Sequence, residues 1–286
     1  MQNEHLTYGE IIRKSTEFLL NKGVISAKCD SEWIVSHLVK TSRMELYLNF
    51  DDLVPEEKIS EIRNMIVQRG RRIPLQHILE SVPFCDLRLK CDRRALIPRP
   101  ETERLVEIII ESVGEAFNGN ILDLGSGTGA IVLALCNQLK EARGLGMDKS
   151  SEAIDLSREN LYLLDLSARV SFQKFDWMLE EYKQEKVDLL ISNPPYLSLE
   201  EWNTAEPEVN KHDPKDALVS PEGGLAHLRK LLDLSTSALK KDGQIFIEVG
   251  IGQAEKVMEM MKDIFYDIQN RKDFCGVRRY VFARFC

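Results

Sequence analysis

Ile121-Leu122-Asp123-Leu124-Gly125-Ser126-Gly127-Thr128-Gly129-Ala130 reads as a buried strand, a glycine-rich turn and the start of a helix. Glycines permit positive φ and let a ligand approach the backbone closely. The helix start adds free N–H groups and the positive end of a dipole. Gly125-x-Gly127-x-x-Ala130 also satisfies the dinucleotide fingerprint in its Gly/Ala form, although a turn kept for packing alone would look the same. Around this stretch, short apolar runs alternate with helical ones. The strand candidates are 120–124, 144–148, 170–173, 187–192, 244–249 and 277–285, with helices over 128–139, 151–163, 222–240 and 253–263. Such alternation predicts an α/β domain, a parallel sheet covered on both faces.

Two further features specify a ligand. Asp148 ends the strand after the glycine turn, where an acid can accept hydrogen bonds from both ribose hydroxyls. Ser150 or Ser151 can cap the next helix, which leaves Asp148 free. These features do not separate nicotinamide dinucleotides from S-adenosylmethionine, since both carry adenosine. The third motif does. Leu189-Leu190-Ile191-Ser192 ends in Asn193-Pro194-Pro195-Tyr196, and a strand end in this kind of sheet faces the ligand crevice. Two prolines supply carbonyls without N–H donors on a stiff backbone. Asn193 adds a side-chain carbonyl and amide, and Tyr196 a flat face. The set suits a planar –NH2 group whose two protons meet two acceptors.

The rest of the chain bounds these readings. Its 286 residues suggest about two domains, and 43% hydrophobic with 29% charged residues is an ordinary globular mixture. No run approaches the roughly 18 apolar residues of a membrane helix. Met1-Gln2-Asn3-Glu4-His5 lacks the pattern of a secretion signal, so a cytoplasmic location is expected. The net charge of −8 argues against a protein held on nucleic acid by phosphate contacts. It is uneven: residues 1–100 carry 16 Lys and Arg against 14 Asp and Glu, the remainder 22 against 32. The basic excess sits around Arg69-Gly70-Arg71-Arg72 and in Arg88, Lys90, Arg93, Arg94 and Arg99, as a solvated surface or a docking face. None of the six cysteines forms a CxxC pair and no histidine spacing suits zinc, so no metal site is expected.

Residues 1 to about 72 predict a small helical bundle. Thr7-x-x-Glu10 is a capping box ahead of Ile11, Ile12 and Leu19. Ala27, Ile34, Val35, Leu38 and Val39 form a second stripe. Pro55 suits a helix start before Ile59, Ile62 and Ile66. Residues 80–98 read as a hairpin or connector. Ile97-Pro98-Arg99-Pro100-Glu101-Thr102-Glu103 forbids a helix interior and precedes a helix with Leu105, Val106, Ile109, Ile110 and Val113 on one face.

Asn193–Tyr196 at the end of the fourth strand resembles the signature of S-adenosylmethionine-dependent amino-methyltransferases. Ile97–Glu103 is similar to the narrower signature of the HemK-type peptide chain release factor N5-glutamine methyltransferases. Pro74–Ile78, Pro207-Glu208-Val209, Gly223-Gly224-Leu225 and Asp273-x-x-Gly276-x-x-Arg279 fall where that family has matching pieces. His77, Arg94 and Asp213–Leu218 depart from its usual residues. The resemblance implies a Rossmann-like, seven-stranded class I methyltransferase sheet with its last strand antiparallel, plus the helical bundle. The implied divisions are a substrate-docking domain over 1–79, a hairpin over 80–98 and a catalytic domain over 99–286. S-adenosyl-L-methionine would lie on Gly125, Ser126, Gly127, Thr128 and Gly129, with Asp148 on its ribose, Asp176 and Trp177 at its adenine, and Asn193 alongside. Asn193, Pro194, Pro195 and Tyr196 would hold the glutamine of a Gly-Gly-Gln loop in class 1 release factors, and Arg99 and Glu101 would line its entrance. The rival readings are a DNA adenine or rRNA methyltransferase, against which the acidic balance counts, and a catalytically idle binding protein.

Overall fold

The computed structural model describes residues 6–286. Residues 1–5, on which the reading of a missing signal rests, lie outside the described residues. The chain divides into two compact units, one ending at Glu80 and one starting at Ser81.

The first unit is a helical bundle: α1 (Tyr8–Asn21), α2 (Ala27–Val39), α3 (Arg43–Leu48), α4 (Glu56–Gly70) and α5 (Leu75–Leu79). The expected capping box is present: Thr7 accepts from the Glu10 N–H and Glu10 accepts from the Thr7 N–H. The three predicted apolar stripes meet in one core around Ile12, Leu19, Ile34, Val35 and Ile62. One expectation fails here. Arg69, counted with the basic surface, is only 5% exposed, and its Nε donates to the buried Asp30 carboxylate at 2.7 Å. A buried guanidinium needs such a partner to offset its lost hydration. The exposed basic group of this segment is therefore smaller than the sequence suggests.

The second unit opens with an antiparallel hairpin, β1 (Ser81–Phe84) and β2 (Leu87–Lys90), followed by α6 (Pro100–Val113). Pro100 is the first helical residue of α6, where a missing N–H costs nothing. There follow β3 (Asn120–Leu124), α7 (Ala130–Gln138), β4 (Arg143–Asp148), α8 (Ser151–Leu163), β5 (Val170–Lys174) and β6 (Val187–Ser192). Then come the short helices α9 (Leu199–Thr204) and α10 (Pro207–His212), a 3-10 turn at Lys215–Ala217, the single turn α11 (Pro221–Gly224) and α12 (Ala226–Ala238). The chain ends with β7 (Leu239–Glu248), α13 (Ala254–Met261), β8 (Phe265–Lys272) and β9 (Arg278–Phe285).

The seven-stranded sheet runs β5-β4-β3-β6-β7-β9-β8. Strands β3 to β7 pair in parallel, and the last strand, β9, is antiparallel to both β7 and β8. Alternate residues of each strand enter opposite cores. Ile121 packs with α6 and α7, whereas Leu122 and Leu124 pack with α12. Both faces are thus covered, as the continuous apolar strands require. The strand order reverses between β3 and β6, which opens a crevice at their carboxyl ends. Among the described residues no helix is long and apolar enough to cross a membrane, and no group of His, Cys, Asp or Glu could hold a metal ion. The six cysteines are free thiols.

Candidate active site

The crevice beyond β3, β4 and β6 holds a cavity of about 730 Å³. Gly125, Gly127, Asp148, Asp176, Trp177, Asn193 and Pro195 line it, from four separate segments of sequence. The turn after β3 explains its glycines. Gly125, Gly127 and Gly129 have φ of +79°, +53° and +82°, the left-handed region that side chains disfavour. The Gly125 and Ser126 N–H groups donate to the Met147 carbonyl at 2.8 and 3.0 Å, tying the turn to β4. Gly129 precedes the first residue of α7, so this helix starts two residues later than the sequence suggests.

Asp148 is not left free. Ser150 does cap α8, accepting from the Ala153 N–H. The Asp148 carboxylate nevertheless accepts from Gly127 N–H at 3.0 Å and Ser150 N–H at 2.8 Å, one on each oxygen. Each oxygen has lone-pair capacity for a second donor, so the group can still take two hydroxyls. Burial raises its pKa, and the two backbone donors and Lys149 oppose that rise. Trp177 is buried, with its indole Nε1 unpartnered, and a Cβ at Gly125 would sit 3.1 Å from its ring. Ser126 Oγ is likewise buried without a partner. A glycine floor, an aromatic wall with an unspent indole N–H and a carboxylate together fit a nucleoside-bearing ligand. The volume suits one, since such sites run to several hundred Å³.

Asn193 follows β6 at the edge of the cavity. Its side-chain Nδ2 donates to Thr102 Oγ1 of α6 at 3.2 Å, which leaves the side-chain oxygen for another donor. Thr102 donates to Glu248 Oε2 at 2.8 Å, and the Tyr196 hydroxyl donates to Glu248 Oε1 at 3.4 Å. The Tyr196 backbone is clamped: its carbonyl accepts from Gln253 Nε2 at 2.9 Å, and Gly224 lies so close that a Cβ there would fall 2.1 Å from it. That contact gives Gly224 its reason, whereas at Gly223 it is the φ of +63° that favours glycine.

Other expected residues stand back from the cavity. Ser126, Thr128, Gly129, Pro194, Tyr196, Arg99 and Glu101 are not among its lining. Thr128 and Gly129 are buried in the turn, where the Thr128 carbonyl accepts from Asn160. Arg99 donates to the buried Asp213 at 2.6 Å, and the Glu101 carbonyl accepts from Tyr280 at 2.7 Å. Residues that the sequence reading missed do line it: Ala95, Lys149, Lys174, Met178 and His227, with Pro214–Ala217 closing one side. Glu248 was also missed, although an acid ending the apolar strand Ile245-Phe246-Ile247 was a usable signal.

Comparisons with known proteins give the family and the fold. A family model described as the PrmC N-terminal domain matches residues 10–79, and one described as a methyltransferase small domain matches 102–208. A release factor glutamine methyltransferase of Fusobacterium nucleatum is 36% identical over 277 residues, 96% of this chain and 78% of that protein. Its counterpart of Geobacter sulfurreducens is 33% identical over 279 residues, 97% of this chain and 96% of that protein. Among solved structures, the catalytic domain of hMettl16 aligns with a TM-score of 0.56 at 14% identity, over 69% of this chain and 74% of that one. At that identity the likeness is one of fold.

Proposed function

The chain belongs to the release factor glutamine methyltransferase family, and from that premise we propose that it methylates the side-chain amide nitrogen (N5) of the Gly-Gly-Gln glutamine in class 1 release factors. S-adenosyl-L-methionine, when bound, supplies a methyl group already activated on a sulfonium. The Gly125–Gly129 turn and Asp148 would hold its methionine part and ribose, and Asp176 and Trp177 its adenine.

The protein's task is to hold a poor nucleophile. A primary amide nitrogen shares its lone pair with the carbonyl. Two acceptors for its protons, Asn193 Oδ1 and the Pro194 carbonyl, would orient that nitrogen and enrich it in electron density. Alignment of two reactants can lower a barrier by up to about 7–11 kcal/mol. The single observation that carries this reading is the Asn193 amide: its nitrogen is occupied by Thr102, so its oxygen is the end left to take a substrate N–H, beside the glycine turn and Asp148. No strong base is needed. Pro195, which lines the cavity with Asn193, and Tyr196 would confine the glutamine side chain, with Arg99 and Glu101 lining its entrance. Release factor as partner and the cytoplasm as location follow from the family, and the free thiols fit that compartment.

The test offers the full chain methyl-labelled cofactor with unmethylated release factor, DNA and rRNA in parallel. Label in the release factor alone is expected. Label in DNA or rRNA alone would reverse the assignment, and label in none of the three would favour an idle binding protein.

A further inference from the structure

The two ends of an asparagine amide are chemically opposite: Oδ1 accepts and Nδ2 donates. A flipped Asn193 would present two N–H groups to the two N–H groups of the substrate amide and hold nothing. The orientation of this one side chain therefore decides whether the site works, and its partners decide the orientation.

Those partners form a chain with a direction. Asn193 Nδ2 donates to Thr102 Oγ1, and Thr102 donates to Glu248 Oε2. A hydroxyl has one proton, so a threonine that donates to Glu248 can only accept from Asn193. An ionised carboxylate can only accept, so it cannot run the chain backwards. Thr102 comes from α6 and Glu248 from the end of β7. They are 4% and 1% exposed, and neither lines the cavity. Tyr196, donating to the second oxygen, adds a third element.

We propose that Thr102 and Glu248 are positioning residues that fix the flip of the Asn193 amide, turning its oxygen toward the substrate, and that protonation of Glu248 releases the lock. This rests on the methyl-transfer reading of the site. A protonated Glu248 would donate to Thr102, whose own proton could then point at Asn193. The flipped amide would become as well satisfied as the working one.

The groups that face Glu248 set where this happens. Burial raises its pKa most, and Glu101 of α6 adds to the rise. Thr102, Arg279 of β9 and Tyr196 oppose it, while Tyr280 pairs with Glu248 across β7 and β9. Arg279 is itself held by Asp273, whose other oxygen accepts from the Cys275 and Val277 N–H groups around Gly276. The result is a carboxyl pushed up to about 7. The lock is therefore closed above that pH and opens as pH falls through it.

The experiment follows the Asn193 Nδ2 proton resonances, assigned by their loss in Asn193→Ala, from about pH 5.5 to about pH 8.5, with kcat on release factor over the same range. In the wild-type chain the resonances should titrate with a midpoint near 7 and kcat should fall on the acid side of it. Glu248→Gln and Thr102→Val should abolish the titration, with kcat lowered at least roughly tenfold at high pH, whereas Thr102→Ser should restore both. A structural role in holding α6 to β7 would change melting temperature but not these profiles. Resonances that ignore pH in the wild type, or that still titrate in Glu248→Gln, overturn the proposal; Glu248→Gln suffices if Thr102→Val does not fold. Titration without labelling of release factor upholds the lock and counts against the substrate reading, and labelling without titration does the reverse.

Discussion

On the proposed reading Asn193 and Asp148 divide the work of the site between nucleophile and cofactor, and separate substitutions test that division. Asn193→Ala removes the acceptor for one substrate proton while leaving the glycine turn and Asp148 in place. Turnover should fall at least about a hundredfold, with cofactor affinity nearly unchanged by calorimetry. Asp148→Ala should do the opposite. It removes a carboxylate that can take two ribose hydroxyls, each charge-assisted bond being worth about 1.5–3 kcal/mol. Affinity for S-adenosylmethionine should drop by at least about tenfold, and nicotinamide dinucleotides should not bind in either form. Asp123, one residue from the end of β3, matters for stability instead. Its carboxylate is fully buried, and burial, with the nearby Asp148 charge, pushes its pKa to about 7 against the opposing Val132 N–H. A pKa raised on folding stabilises below the ordinary carboxyl range and loses that contribution as pH rises through about 7. Asp123→Asn should match the wild type near pH 4 and exceed it near pH 8, by on the order of 1–4 kcal/mol in denaturant melts. Equal stabilities at both pH values would refute a carboxyl whose pKa folding raises.

The elements of the first unit are pinned by the ion pair between α2 and α4. Arg69→Met would leave Asp30 buried with its cationic partner gone, at a cost of about 3–5 kcal/mol, read as a lower unfolding midpoint of the bundle. This pair also shows where sequence reading stops. Arg69 sits in a run of basic residues that looks like surface, and only the fold brings Asp30, 39 positions away, against it. The parallel strands were readable because their two-sided burial makes them continuous apolar runs. Strand β8 escaped because it is an edge strand: of Phe265–Lys272 only Phe265 is buried, and Asp267 has φ of +51°. The helix expected over 222–240 starts at Ala226, because Glu222 and Gly223 adopt left-handed φ that no helix accommodates. Helix α9 had a signal that went unused, the capping box of Ser198 and Glu201. In the site, the glycine turn, Asp148 and Asn193 carry their chemistry in local motifs. Thr102 and Glu248 do not, since their role exists only where α6 and β7 meet Asn193.

At the level of the whole molecule, a lone glutamine is a small and generic substrate, so selectivity must come from contacts far from the methyl group. The first unit carries no basic excess as a whole, since residues 1–80 hold 11 Lys and Arg against 12 Asp and Glu, but its run at 69–72 is locally basic and Arg71 is an exposed member of it. Charges at an interface rim mainly set association rate and its salt dependence. Arg71→Glu should therefore raise KM for intact release factor at low salt, with little effect at high salt where exposed charges are screened. Unchanged KM at low salt would assign this charge to solvated surface. The assignment of the reaction itself rests on one product. Purified enzyme, S-adenosylmethionine and unmethylated release factor should yield a protein in which fragment mass spectrometry finds a single added methyl on the side chain of the Gly-Gly-Gln glutamine, absent with Asn193→Ala. A methyl on any other residue, or an unmodified release factor alongside a methylated nucleic acid, would contradict the account.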